Sequence, residues 1–360
     1  MSLMRRPLSW VLGLSLLTLS FGCDGEADPV DGSVDGLDAS ADADATEPDA
    51  GPPPLPPCGT DSEEAAMACV EQSRYEADLT EIAQPRSPGT PHHEAVRELC
   101  ATRFAALGME VERHDYGTGV NIVGTLAGTT AASERVLLSA HYDSVPDCAG
   151  ADDNATGVAG VLEAARVLAS TEHARTLVVA CWDEEERGLI GSRAYAERAG
   201  ADGDDLRANL VFEMIGYRDD TPGSQELPEG FDLLFPREVR QIEARESRGD
   251  FLAAIGDERY SETVAADLVE LGARVGLPVI SLLLNDGLLT SPATGDLRRS
   301  DHSPFWLQDA PGMMLTDTSE FRYDEYHCRG GPDDVEGLDP VFATQVIQAS
   351  VGAAWRALSP

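Results

Sequence analysis

Residues 135–186 read RVLLSAHYDSVPDCAGADDNATGVAGVLEAARVLASTEHARTLVVACWDEEE. Two short apolar runs, at 135–139 and 175–181, flank the stretch 157–170, where Val158, Val161, Leu162 and Ala165 recur at helical spacing. Strand, helix and strand in that order is the crossover unit of a parallel sheet. The alternation continues outward. Helical spacing is expected over 63–79 and 92–107, where Gly108 stops the second helix, then from Ser192, over 262–275 and over 340–358. Strands are expected at 121–126, 209–214, 250–255, 279–284 and 311–315. The chain contains no internal repeat. The expected fold is α/β, a three-layer α/β/α sandwich around a mostly parallel mixed sheet with both faces covered. Sheets of this kind carry their chemistry in loops at the carboxyl ends of strands.

Those loops are rich in metal-ligand residue types. The first contains His141 and Asp143, a spacing that lets the carboxylate accept the ring's second N–H and fix its tautomer. The next contains Asp152, Asp153 and Asn154 ahead of a helix; capping of exposed amides is the plainer reading of that trio. The strand ending at Cys181 runs into Asp183-Glu184-Glu185-Glu186, ordinarily a solvated loop. Glu213 stands inside the apolar run Val211-Phe212-Glu213-Met214-Ile215, where a carboxylate is costly unless it is paired or holds a cation. A late loop holds Tyr326-His327-Cys328. Each has a bland explanation singly. Five carboxylate or imidazole clusters at successive strand ends do not.

In this order the motifs resemble the M28 family of zinc aminopeptidases, whose pattern runs H-x-D, G-A-x-D-N-x-S/T-G, E-E-x-G-L-x-G-S, D/E-M-x-G and Y-H. The resemblance extends from about residue 122 to 340 and takes in Arg299-Ser300-Asp301-His302. It implies two zinc ions per chain bridged by Asp153, one completed by His141 and Glu213, the other by Glu186 and His327. It further implies Glu185 as general base, Asp143 as the partner of His141, and Tyr326 as donor to the developing oxyanion. Arg299, Asp301 and His302 would line the site or support it. Glu213 departs from the aspartate of the best-known members and lengthens that arm by one methylene.

This ligand set is chemically coherent, because nitrogen and carboxylate donors suit zinc. A pair of divalent ions stabilises both the attacking oxygen and the charge growing on a carbonyl. The expected activity is hydrolysis of the N-terminal peptide bond of peptides, with carboxypeptidase or dipeptidase action left open. A glutaminyl-cyclase-like enzyme would keep a reduced ligand set, against which His141 and Asp153 both stand. A non-catalytic peptide-binding lipoprotein would have lost a ligand or the base, and none is lost. A serine hydrolase built on Ser300, Asp301 and His302 fails, since contiguous residues cannot form the relay.

Charge and targeting complete the picture. The 360 residues hold 64 acids against 26 bases, all of them arginine, for a net charge of −38. That excess argues against nucleic acid and anionic lipid as partners; the expected partners are peptide substrates, and the enzyme is expected to be a monomer. Residues 1–22 have the layout of an export signal, with Arg5 and Arg6 ahead of an apolar run too short to span a bilayer. Cys23 follows the expected cleavage point as a candidate lipid attachment site, so the protein is expected in the cell envelope or secreted. Residues 23–57 are acidic, end in prolines and are expected to be a disordered tether. The leader contributes +2 and this tether −10, leaving −30 on the enzyme domain expected over 58–360. An exported chain can keep disulfides. Cys148–Cys328 is the expected pair, since both flank proposed ligands. Cys69–Cys100 is a second expectation, with Cys181 read as a small apolar residue.

Overall fold

The computed structural model describes residues 55–359. The expected export signal, Cys23 and the tether as far as residue 54 lie outside the described residues. Eight strands form one sheet: β1 (Glu110–Asp115), β2 (Val120–Leu126), β3 (Ala131–His141), β4 (Arg175–Trp182), β5 (Asp205–Glu213), β6 (Leu252–Asp257), β7 (Val279–Leu284) and β8 (Met313–Thr316). Their spatial order is β1-β2-β4-β3-β5-β8-β6-β7. The central strands β4, β3, β5 and β8 run parallel, as crossover connections require. Antiparallel pairing enters on either side, at β2–β4 and β1–β2 and at β6–β8. β7 then pairs parallel to β6.

Both faces of the sheet are covered. Val136, Leu138 and Ala140 of β3 pack into one apolar layer with helices Gln72–Ile82, Pro91–Ala106, Gly157–Leu168, Glu262–Arg274 and Pro340–Leu358. Leu137, between them, faces the opposite layer with Trp182, Tyr195 and Phe305. That second layer continues over β6 and β7 through Phe235 and Ile242, which flank and sit on helix Pro236–Ala244. Alternate residues of one strand are buried on opposite sides, so the strand reads as an unbroken apolar run.

Three differences from the sequence reading have physical causes. β1 escapes it because Glu110, Glu112, Arg113 and Asp115 occupy an edge strand with little buried surface. The expected helix over 63–79 breaks into Glu63–Met67 and Gln72–Ile82, because Cys69 turns back to bond Cys58. Glu163 then accepts the Glu71 N–H at 2.6 Å and anchors the start of the second helix. The expected Cys69–Cys100 bond is therefore absent, and Cys100 bonds Cys181 instead. Cys100 sits on the buried face of a helix laid across the sheet, directly against the end of β4. Cys181 is thus a cross-link and not merely a small apolar residue. Cys148 pairs with Cys328. No helix among the described residues is long and apolar enough to cross a membrane.

Candidate metal centre

The carboxyl ends of β3, β4 and β5 lie side by side, and the loops leaving them converge. His141 closes β3 and Glu213 closes β5. Glu185 and Glu186 follow β4, while Asp153 projects from the turn that enters helix Gly157–Leu168. His327 comes from a late turn over 326–328. One atom each from His141, Asp153 and Glu213 gather within 4.8 Å of one another, and so do one each from Asp153, Glu186 and His327. Asp153 is common to both groups. Its Oδ1 lies 3.3 Å from His141 Nε2 and its Oδ2 lies 3.1 Å from His327 Nε2. Glu213 Oε2 stands 3.5 Å from His141 Nε2, and Glu186 Oε2 3.3 Å from His327 Nε2. Glu185 Oε2 is further out, 4.0 Å from His141 Nε2.

The donor atoms fit a divalent cation. His141 Nε2 and Glu186 Oε1 are buried without a hydrogen-bond partner, a costly state that a metal would relieve. Burial pushes the Glu186 carboxyl up to about 7, with the charge of Asp153 adding to it. Burial also raises Glu185 well above the usual carboxylate range; His141 pulls the other way, and Glu213 and Asp301 push further. Burial opposes a charge on His327, yet its bonds to Asp153 and Glu186 push it up to about 9. Burial likewise opposes charge on Asp153, and the two imidazoles outweigh it and hold the carboxyl below its usual range. Four carboxylates around two imidazoles form a cluster that takes up positive charge, as protons or as metal.

A surrounding set of residues holds these side chains in place. Asp143 lies with Oδ1 3.5 Å from His141 Nδ1, and its two oxygens accept the N–H groups of Glu185 and Glu186 at 3.1 and 3.2 Å. The Asp143 main-chain oxygen lies 3.3 Å from the same His141 nitrogen, so one residue orients groups that follow two strands. Tyr326 stacks on His327 with ring centroids 3.8 Å apart, and its hydroxyl accepts a hydrogen bond from Arg299 at 3.0 Å. Burial and the nearby Asp153 raise the Tyr326 phenol, so it stays protonated and able to donate. Arg299 also pairs with Glu320. Asp301 and His302 are fully buried and not rim residues. Burial pushes Asp301 up to about 7, while His302 bonds the Leu297 carbonyl at 3.0 Å and packs edge-on against Trp306. Asn154, inside a potential glycosylation triplet, is buried and ties Phe212 and Met214 of the neighbouring strand end to the turn.

Several supporting residues are given no role by the sequence reading. Ser300 donates to Glu213 Oε2 at 2.6 Å and fixes the longer arm. Asp333, in what reads as a solvated acidic loop, is buried and accepts the N–H groups of Asp152 and Asp153 at 2.9 and 3.1 Å. Arg86 is fully buried and gathers the carbonyls of Tyr142, Ala149 and Gly150, shaping the loop that carries Asp143. His93 is also buried, bonding Asp183 at 2.7 Å. Of the acid run, Asp183 and Glu184 therefore serve structure: Glu184 accepts from Thr118 and Arg187. Only Glu185 and Glu186 face the site.

Comparison with known proteins bears on this centre. The model of peptidase family M28 matches residues 121–349. An uncharacterized protein of Escherichia coli, YfbL, is 29% identical over 293 residues, which are 76% of this chain and 83% of that relative. A probable lipoprotein aminopeptidase of Mycobacterium tuberculosis, LpqL, is 45% identical over 89 residues, 24% of this chain and only 18% of the relative. Among solved structures, the LapA aminopeptidase of Legionella pneumophila aligns with a TM-score of 0.62 at 18% identity, over 82% of this chain and 74% of that one. A zinc aminopeptidase of Bacillus subtilis, BSAP, aligns at 0.61 and 15% identity, over 81% and 96%. At these identities the structural likeness concerns the fold.

Proposed function

The chain belongs to peptidase family M28, and from that premise we propose that it is an exported two-zinc aminopeptidase. The observation that carries the reading is the pair of three-residue groups sharing Asp153, with Glu185 beside them and outside both. Zinc ions held there would polarise the scissile carbonyl and make a nearby water more acidic. His141 with Glu213 would hold one ion and Glu186 with His327 the other, Asp153 serving both. Glu185, raised by burial, accepts the proton of the attacking water. As the C–N bond breaks it passes that proton to the departing amine, releasing one amino acid and a shortened peptide. Tyr326, a protonated phenol aimed by Arg299, donates to the oxyanion that forms on the carbonyl. Asp143 keeps the His141 ring and the Glu185–Glu186 backbone in register throughout. Three disulfides support a life outside the reducing cytoplasm, as does the lipoprotein designation of the mycobacterial relative.

The test is a panel of peptides with free and N-acetylated first residues, assayed with and without a zinc chelator. Free-amine peptides should be cleaved after the first residue and only while zinc is present. Cleavage confined to the acetylated set would overturn the aminopeptidase reading, and purified protein carrying no zinc would overturn the metal reading.

A further inference from the structure

We infer that the cavity beside Glu213 receives a lysine or arginine side chain at the substrate's first position, an inference that rests on the aminopeptidase reading. The cavity crosses the sheet face. It starts at Glu213 and Tyr326 and is walled in turn by Met314 of β8, Ile255 of β6 and Leu282 of β7. Those strands are consecutive neighbours after β5, so the cavity spans three inter-strand steps. At about 4.8 Å per step that is roughly 14 Å, room enough for a fully extended lysine or arginine side chain. Its walls are mostly apolar, suited to the methylenes of a long chain.

Five carboxylates line the cavity: Glu213 belongs to the metal centre, Asp296 and Glu320 pair with Arg299, and Glu226 is exposed, which leaves Glu238 against a purely apolar reading. Glu238 lines the same cavity from helix Pro236–Ala244. Spacings of three and four residues put it on one stripe with Phe235 and Ile242, both buried against the sheet. Glu238 is itself partly buried, and its carboxylate makes no hydrogen bond or ion pair among the described residues. A place in the helix's first turn accounts for an acid there, but not for one turned toward an apolar cavity. Among the described residues lining the cavity, the single cation is Arg299, and it is already paired with Glu320. Glu238 therefore lacks a partner that a substrate can supply: a cationic head at the end of an apolar stem. Leucine has no charge to offer this carboxylate.

Calorimetric binding of L-argininamide, L-lysinamide, L-leucinamide and L-phenylalaninamide to the zinc-loaded protein tests this, alongside turnover of the matching aminoacyl-coumarin substrates. The basic amides should bind at least tenfold more tightly than the apolar ones. Glu238→Gln should reduce the arginine-to-leucine ratio at least tenfold, acting through KM in the turnover assay. Glu238→Arg should reverse it in favour of an acidic first residue. Tighter binding of leucinamide or phenylalaninamide, or a ratio indifferent to Glu238, would overturn the assignment. If the amides discriminate as expected but no free-amine substrate is turned over, the peptidase reading fails and the cavity assignment stands.

Discussion

The disulfide between Cys148 and Cys328 holds the turn that carries His327, and its removal separates local from global effects. Replacing both cysteines by serine avoids a stray thiol. In the chain-entropy account, a closed loop of 180 residues confers about 5 kcal/mol on the folded state, with 2–4 kcal/mol more usual in practice. The local effect is distinct. His327 and Cys328 are consecutive non-glycine residues with φ of 57° and 56°. Each costs roughly 1–2 kcal/mol in that left-handed region. A turn released from its tether can relax by about 2 kcal/mol or more, carrying His327 Nε2 away from Asp153 and Glu186. Two kcal/mol corresponds to roughly a thirtyfold loss of affinity. Competition titration of zinc against a chromogenic chelator should therefore show one ion held as in the native protein and one weakened about thirtyfold, alongside a lower denaturation midpoint. A lower midpoint with both zinc affinities unchanged would refute the argument, because the turn would then keep its shape without the cross-link.

Other perturbations address the remaining parts. Glu185→Gln should retain zinc and lower kcat by about two to four orders of magnitude, read by metal analysis and initial rates on one sample; retained turnover would end the base assignment. His141→Ala and His327→Ala should each reduce zinc per chain, measured by atomic emission after gel filtration. Asp143→Asn keeps the shape but removes the charge that receives the Glu185 and Glu186 N–H groups and faces the His141 ring, and zinc affinity should fall ten- to a hundredfold by the same titration. His302 is pushed down to about 4 by burial, against about 6.5 in the unfolded chain. Between those values the unfolded state takes up the extra proton, so stability falls as pH drops from about 6.5 to 4, by up to about 3 kcal/mol. The denaturation midpoint of His302→Gln should accordingly depend less steeply on pH across that window than the native protein's, and parallel slopes would contradict it.

Legibility followed from what a side chain costs where it stands. Glu213 was conspicuous because a carboxylate inside an apolar strand needs a partner, and the partners it has are His141 and Ser300. Ser300 was not conspicuous, since a serine in a polar tetrapeptide costs nothing at the level of sequence. Asp333 and Arg86 were hidden for the same reason: each looks solvated until the fold buries it against backbone groups far away in sequence. In the run Asp183–Glu186 the residue types announced acid chemistry, but the direction of each side chain depends on backbone that turns left-handed at Glu184. Cys69 and Cys100 went wrong because pairing depends on which faces meet, and composition carries no information about that.

Periodicity and residue type were enough for the alternating α/β layers and for the order of histidines and acids along the strand ends, because both are local properties of the chain. Strand order, the two groups meeting at Asp153, the supporting reach of Asp143 and Asp333, and the cavity lined by both Glu213 and Glu238 were decided only in three dimensions. They depend on contacts between segments separated by tens to hundreds of residues, where burial, and not residue type, determines what a carboxylate does. The acid excess shows the difference most clearly. In sequence it is a single net charge, whereas among the described residues many arginines sit in ion pairs, a few carboxylates form a centre suited to metal, and Glu238 faces an apolar cavity without a partner.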